Sequence, residues 1–123
     1  MITNIEITGV GTFVPDESTK KYIVKKVGRL DRLVPRHARG SMHAEVKLAE
    51  INQSHGNKYE AEVVVRVPEK TLTAKDSTMN ILAAIDIVEA KIANQLRRYK
   101  QDLIPHVGRR KLLDRFKRSY ARG

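Results

Sequence analysis

Tyr59-Glu60-Ala61-Glu62-Val63-Val64-Val65-Arg66-Val67 places apolar side chains at Tyr59, Ala61, Val63, Val65 and Val67, interleaved with Glu60, Glu62 and Arg66. Successive strand residues point to opposite faces, so this period of two predicts a strand with one face in a core and the other in water. Upstream, Met42, Ala44, Val46 and Leu48 alternate with His43, Glu45 and Lys47 in the same way. Asn52-Gln53-Ser54-His55-Gly56-Asn57 separates the two runs with turn chemistry, which makes them an antiparallel hairpin with a long polar tip. Pro68-Glu69-Lys70 ends the strand, and Thr71 to Lys75 supplies another with Leu72 and Ala74 facing in. Near the N-terminus Ile5 and Ile7 alternate with Asn4, Glu6 and Thr8, a short strand closed by Gly9 and Gly11.

Four strands need a cover on one face, and two amphipathic helices supply it. From Asp16 as N-cap, the residues Thr19, Ile23, Val27, Leu30 and Val34 fall within an arc of roughly 60° at helical spacing, and Pro35 stops the run. Gly28 inside it costs up to about 1 kcal/mol relative to Ala. The second helix, expected to start near Ser77 as a good cap, puts Ile81, Ile85, Val88, Ile92, Leu96 and Tyr99 on one stripe about 80° wide. The fold class is therefore α+β in the order β-α-β-β-β-α, with two helices on one face of a four-stranded, mostly antiparallel sheet.

The chain of 123 residues has room for one core. Its 24 Lys and Arg against 14 Asp and Glu leave a net charge of +10, which makes a polyanion, and nucleic acid first, the expected partner. Residues 102–123 hold Arg109, Arg110, Lys111, Arg115, Lys117, Arg118 and Arg122 against Asp102 and Asp114. They read as a basic tail set off from the domain of residues 1–101 by Pro105 and Gly108. Leu112, Leu113, Phe116 and Tyr120 give the tail an apolar stripe, the pattern of a short amphipathic helix or of a segment that folds on a partner. With zero Cys, disulfides, thiolate metal sites and cysteine nucleophiles are excluded. No stretch approaches about 18 uninterrupted apolar residues, and the start carries no secretory pattern, so a cytoplasmic chain with no membrane partner is expected.

An enzyme needs a constellation, and none of the common ones is spelled out. His37, His43, His55 and His106 lack metal-ligand spacing, Gly9-Val10-Gly11 lacks the third glycine of a dinucleotide loop, and no serine sits in a nucleophile elbow. Glu60 and Glu62 share a sheet face, where solvation explains them better than acid and base work. The expectation is no catalytic residue, no metal, no cofactor and no small-molecule substrate. What remains is positive charge. Lys21, Lys25, Arg29 and Arg32 lie within about 80° of one another on the first helix, away from its apolar arc. On the second, Lys91 and Arg98 flank Asn94, while Arg97 and Lys100 lie on the outer face of the last turns. An ordinary solvated face usually mixes both signs, yet here only Asp31 and Asp86 offset the cations. With no Trp, and with Tyr22, Tyr59 and Tyr99 on or beside apolar stripes, recognition should be of backbone and shape rather than of stacked bases.

The segment Tyr22-Ile23-Val24-Lys25-Lys26-Val27-Gly28-Arg29-Leu30-Asp31-Arg32, the strand pair, Ala83-Ala84-Ile85-Asp86 and Gln95-Leu96-Arg97-Arg98-Tyr99-Lys100 together resemble the ribosome hibernation promoting factor family, also called ribosome-associated inhibitor or ribosomal subunit interface proteins. The resemblance covers roughly residues 1–101 in order. It implies a domain like the double-stranded RNA-binding fold, seated on ribosomal RNA of the small subunit in the mRNA and tRNA channel, where it stops translation under stress. Lys25, Lys26, Arg29 and Arg32 match the family's basic first helix, and Lys91, Arg97, Arg98 and Lys100 its second. The chain departs from the family at Asn80-Ile81-Leu82, where an acid and a tyrosine are usual, and at Asn94. The free chain is expected to be a monomer. The alternative is a constitutive ribosomal or ribosome-assembly RNA-binding protein.

Overall fold

In the computed structural model, residues 1–51 and 57–103 are described; most of the hairpin tip and the basic tail from residue 104 lie outside the described residues. The order is β1 (Asn4–Gly9), α1 (Glu17–Gly28), a 3-10 segment (Arg29–Leu33), α2 (Arg36–Arg39), β2 (His43–Glu50), β3 (Tyr59–Val67), β4 (Lys70–Thr78) and α3 (Ile81–Leu103). The strands form one sheet in the order β1-β2-β3-β4. β2, β3 and β4 pair antiparallel, and β1 runs parallel to β2. A parallel neighbour requires a crossover, which α1, the 3-10 segment and α2 provide. The architecture is the expected α+β one, with a four-stranded mixed sheet and its helices on one side.

The alternation is realised strand by strand. Ala44, Val46 and Leu48 of β2, Ala61, Val63, Val65 and Val67 of β3, and Leu72 and Ala74 of β4 are all buried. Against them lie Ile23, Val27, Leu30 and Val34 from the first helical run and Ile85, Val88, Ile92, Leu96 and Tyr99 from α3. No buried side-chain polar atom among the described residues lacks a partner.

Three side chains spaced along α3 tie it to β4 and its turn. Lys91 Nζ meets Asp76 at 2.9 Å, Gln95 Nε2 donates to the Thr73 carbonyl at 3.0 Å, and the Tyr99 hydroxyl donates to the Pro68 carbonyl at 3.0 Å. On the other flank the Tyr22 hydroxyl of α1 donates to Asp86 at 2.5 Å, and Lys26 Nζ approaches the same carboxylate at 3.6 Å. That hydrogen bond, with some burial, raises the Tyr22 phenol above its usual range.

Two expectations about helix ends are corrected. The first helix does not run α-helically to Pro35: it stops at Gly28 and tightens into the 3-10 segment. The N-terminal segment crosses there, with Ile2 N–H donating to the Gly28 carbonyl at 3.0 Å. A Cβ at Gly28 would come within 2.8 Å of Met1 Cε. The short α2 that follows Pro35 was not expected from the periodicity; its Ala38 is buried. At the second correction, Ser77 does not cap α3. It belongs to β4, paired with Glu60, because the ladder continues to Tyr59 and Thr78. Asn80 caps instead, its Oδ1 accepting from Leu82 N–H at 2.8 Å.

Ile92 is fully buried at the middle of α3, so Ile92→Ala should cost about 2–5 kcal/mol in chemical denaturation. Lys91 and the Ser77 N–H hold the Asp76 carboxyl below its ordinary 3.8. Its contribution is present above that value and lost as pH falls through the lower folded value. Asp76→Asn should therefore be less stable than the wild type at neutral pH, with the two converging in strong acid.

Candidate nucleic-acid interface

The fold sorts charge by layer. The helical segments spanning residues 17–39 and 81–103 carry twelve Lys and Arg against five Asp and Glu, whereas the four strands carry four against six. On the strands' outer face the charges cancel locally. Arg66 meets Glu45 at 2.9 Å, Lys75 meets Glu60 at 3.3 Å and Lys47 meets Glu62 at 3.9 Å. Glu60 and Glu62 are thus each paired with a lysine. The surplus lies on the helix side.

The nine cations singled out from the sequence do not play one role. Lys21 and Lys25 stand exposed on successive turns of α1, and Arg29 continues the row, its Nε donating to the Lys25 carbonyl at 3.1 Å. Arg29 and Arg32 project from the 3-10 segment and both are exposed. Lys26 instead faces α3: besides its approach to Asp86, its Nζ lies 5.9 Å from the Tyr22 ring centroid. Lys91 is turned to the β4 flank by Asp76. At about 100° per residue, Lys100 lies roughly opposite Lys91 around α3 and within about 40° of Asp86, on the α1 flank. Arg97, hydrogen-bonded to Asn94 at 2.9 Å, and Arg98 occupy the exposed surface between.

Lys21, Lys25, Arg32, Arg98 and Lys100 have no carboxylate within ion-pair distance among the described residues. Lys26 and Lys91 do, and act in helix placement. Sequence reasoning passed over α2, whose exposed Arg36 and Arg39 extend the basic surface; Arg39 Nε also donates to the Asp31 carbonyl at 3.0 Å. The signal was present in Arg36-His37-Ala38-Arg39, but Pro35 read as the end of helix and concealed it.

Guanidinium and ammonium groups set on helices suit phosphate oxygens. A cavity of about 360 Å³ lies at the end where α1 and α3 begin, lined by Phe13, Val14, Asp16, Thr19, Tyr59, Met79, Asn80 and Ile81. Its carboxylate is already committed, because Asp16 Oδ1 accepts from Thr19 N–H at 2.7 Å and is held below the usual carboxylate range by that bond. No helix among the described residues is long and apolar enough to cross a membrane.

Comparison with known proteins falls on this same domain. The chain is 27% identical over 99 residues to the ribosome hibernation promotion factor of Lactococcus lactis subsp. cremoris, an alignment covering 79% of this chain and 45% of that protein. The chain thus spans under half the length of this curated relative. The N-terminal domain of Thermus thermophilus Protein Y superposes with a TM-score of 0.67 at 26% identity, covering 79% of this chain and 99% of the other. A ribosomal subunit interface protein from Coxiella burnetii shares the fold, with a TM-score of 0.64 at 22% identity over 80% and 99% of the two chains. The sequence profile of the family described as Sigma 54 modulation protein / S30EA ribosomal protein, which is not an enzyme family, matches residues 5–104. By that match, which takes in all but the first residue of the sheet together with its helical cover, the chain belongs to this family.

Proposed function

We propose that the protein is a ribosome hibernation factor: it binds the small ribosomal subunit through its helix face, on ribosomal RNA in the mRNA and tRNA channel, and inhibits translation under stress by occupying that channel. The observation that carries this reading is the concentration of unpaired Lys and Arg on the helix side of a family domain whose opposite face is neutralised pair by pair. A row of cations on rigid helices suits phosphates held at fixed spacing in folded RNA, and the scarcity of exposed aromatic rings favours backbone over base recognition. Inhibition on this reading is steric, with no bond made or broken.

Lys21, Lys25, Arg29 and Arg32 on one side, and Arg97, Arg98 and Lys100 on the other, are the proposed RNA contacts. Lys26 and Lys91 contribute through the placement of α1 and α3. The triple variant Arg29→Glu, Arg32→Glu and Arg98→Glu should lose ribosome binding while keeping its circular dichroism spectrum and melting transition. Lys75→Glu on the sheet face should bind as the wild type does. Each lost phosphate contact should also lower the slope of log affinity against log salt by about 1. Ribosome affinity unchanged by the triple substitution would remove the helix face from the site.

A further inference from the structure

On the outer face of the sheet, away from the basic helices, three metal-binding side chains converge. We propose that Glu6, His43 and Glu45 form a surface site for a divalent transition-metal ion of the Zn²⁺ type, bridging edge strand β1 to β2.

The site follows from strand register. Residues two apart on β2 share a face, so His43 and Glu45 point the same way, and the parallel ladder sets Glu6 of β1 directly beside Glu45. His43 Nε2 lies 3.9 Å from Glu6 Oε1 and 3.8 Å from Glu45 Oε1, and one donor atom from each of the three falls within 4.8 Å of the others. Bonds of about 2.0–2.2 Å to a tetrahedral Zn²⁺ put neighbouring donors roughly 3.4 Å apart, so small side-chain rotations close the set. One imidazole and two carboxylates leave a fourth position for water, and the donor types suit a borderline ion better than Mg²⁺.

Charge points the same way. Two carboxylates side by side on adjacent strands repel, which weakens the attachment of an edge strand. Arg66 offsets Glu45 alone, and Glu6, 66% exposed, has no cationic group but His43 within ion-pair distance among the described residues. Of the two acids, Glu6 is thus the one without a Lys or Arg partner among the described residues. A divalent ion there neutralises both acids and ties β1 to β2. The Arg66 guanidinium takes the same Glu45 oxygen that faces His43, so it competes with the ion. No His-rich spacing signals the site in sequence, because one ligand comes from another strand.

The test is titration of the untagged full chain with Zn²⁺ by calorimetry and with Co²⁺ by visible absorption. One ion per chain should bind saturably, raising the melting temperature where Mg²⁺ does not. Loss of an outer-shell partner alone costs roughly 10–100-fold in affinity, so His43→Ala and Glu6→Gln should each weaken binding by more than about 10-fold. Arg66→Gln should tighten it, and His37→Ala should leave it unchanged. Absence of saturable binding would overturn the proposal, as would binding that His43→Ala and Glu6→Gln leave intact or that Arg66→Gln does not strengthen.

Discussion

Burial of one stripe of α3 on the sheet is the constraint from which the rest of the molecule follows. Ile85, Val88, Ile92, Leu96 and Tyr99 are all buried, and α3 packs on β3 and β4 along its length. Burying such side chains is worth roughly 1.5–3 kcal/mol each, against about 1 kcal/mol for a typical polar tie, so apolar contact sets the helix's place and the polar ties set its rotation. Lys91, Gln95 and Tyr99 hold one flank to β4 and its turn, while Asp86 receives Tyr22 and approaches Lys26 on the other. With both flanks held, the side of α3 that faces water is decided, with Lys100 toward the α1 flank and Arg97 and Arg98 on the exposed surface between the flanks.

The same constraint separates two kinds of surface. Helices cover one face of the sheet, so the other must meet water and does so with alternating charges paired across strands. These exposed pairs are each worth little, commonly under about 1 kcal/mol. Their effect is to leave the sheet face without a strong field. The helix face keeps its field because its basic side chains mostly have no acid beside them. A domain built this way presents polyanions with one attractive side.

Legibility differed by feature for physical reasons. Strand and helix existence came through because period two and period 3.6 were both clean, as in Tyr59–Val67 and the stripe from Ile81 to Tyr99. The break at Gly28 did not, because its cause is a long-range contact: the N-terminal segment passes the helix and uses the Gly28 carbonyl. Ser77 and Asn80 are both good caps, and only the length of the β3–β4 ladder decides between them. In the candidate site, the cations of α1, the 3-10 segment and α3 were readable from helical spacing, whereas Arg36 and Arg39 of α2 were hidden behind Pro35. Which of the cations are occupied was not readable, since Lys26 and Lys91 are claimed by Asp86 and Asp76, acids that lie on other elements.

The most direct measurement is ribosome pelleting of the purified chain across a salt series, with and without mRNA and initiator tRNA already bound. Occupation of the channel predicts binding that mRNA and tRNA displace and that falls linearly in log affinity against log salt, as several phosphate contacts require. Binding indifferent to those ligands, or no stronger than that of an unrelated cationic protein, would contradict it.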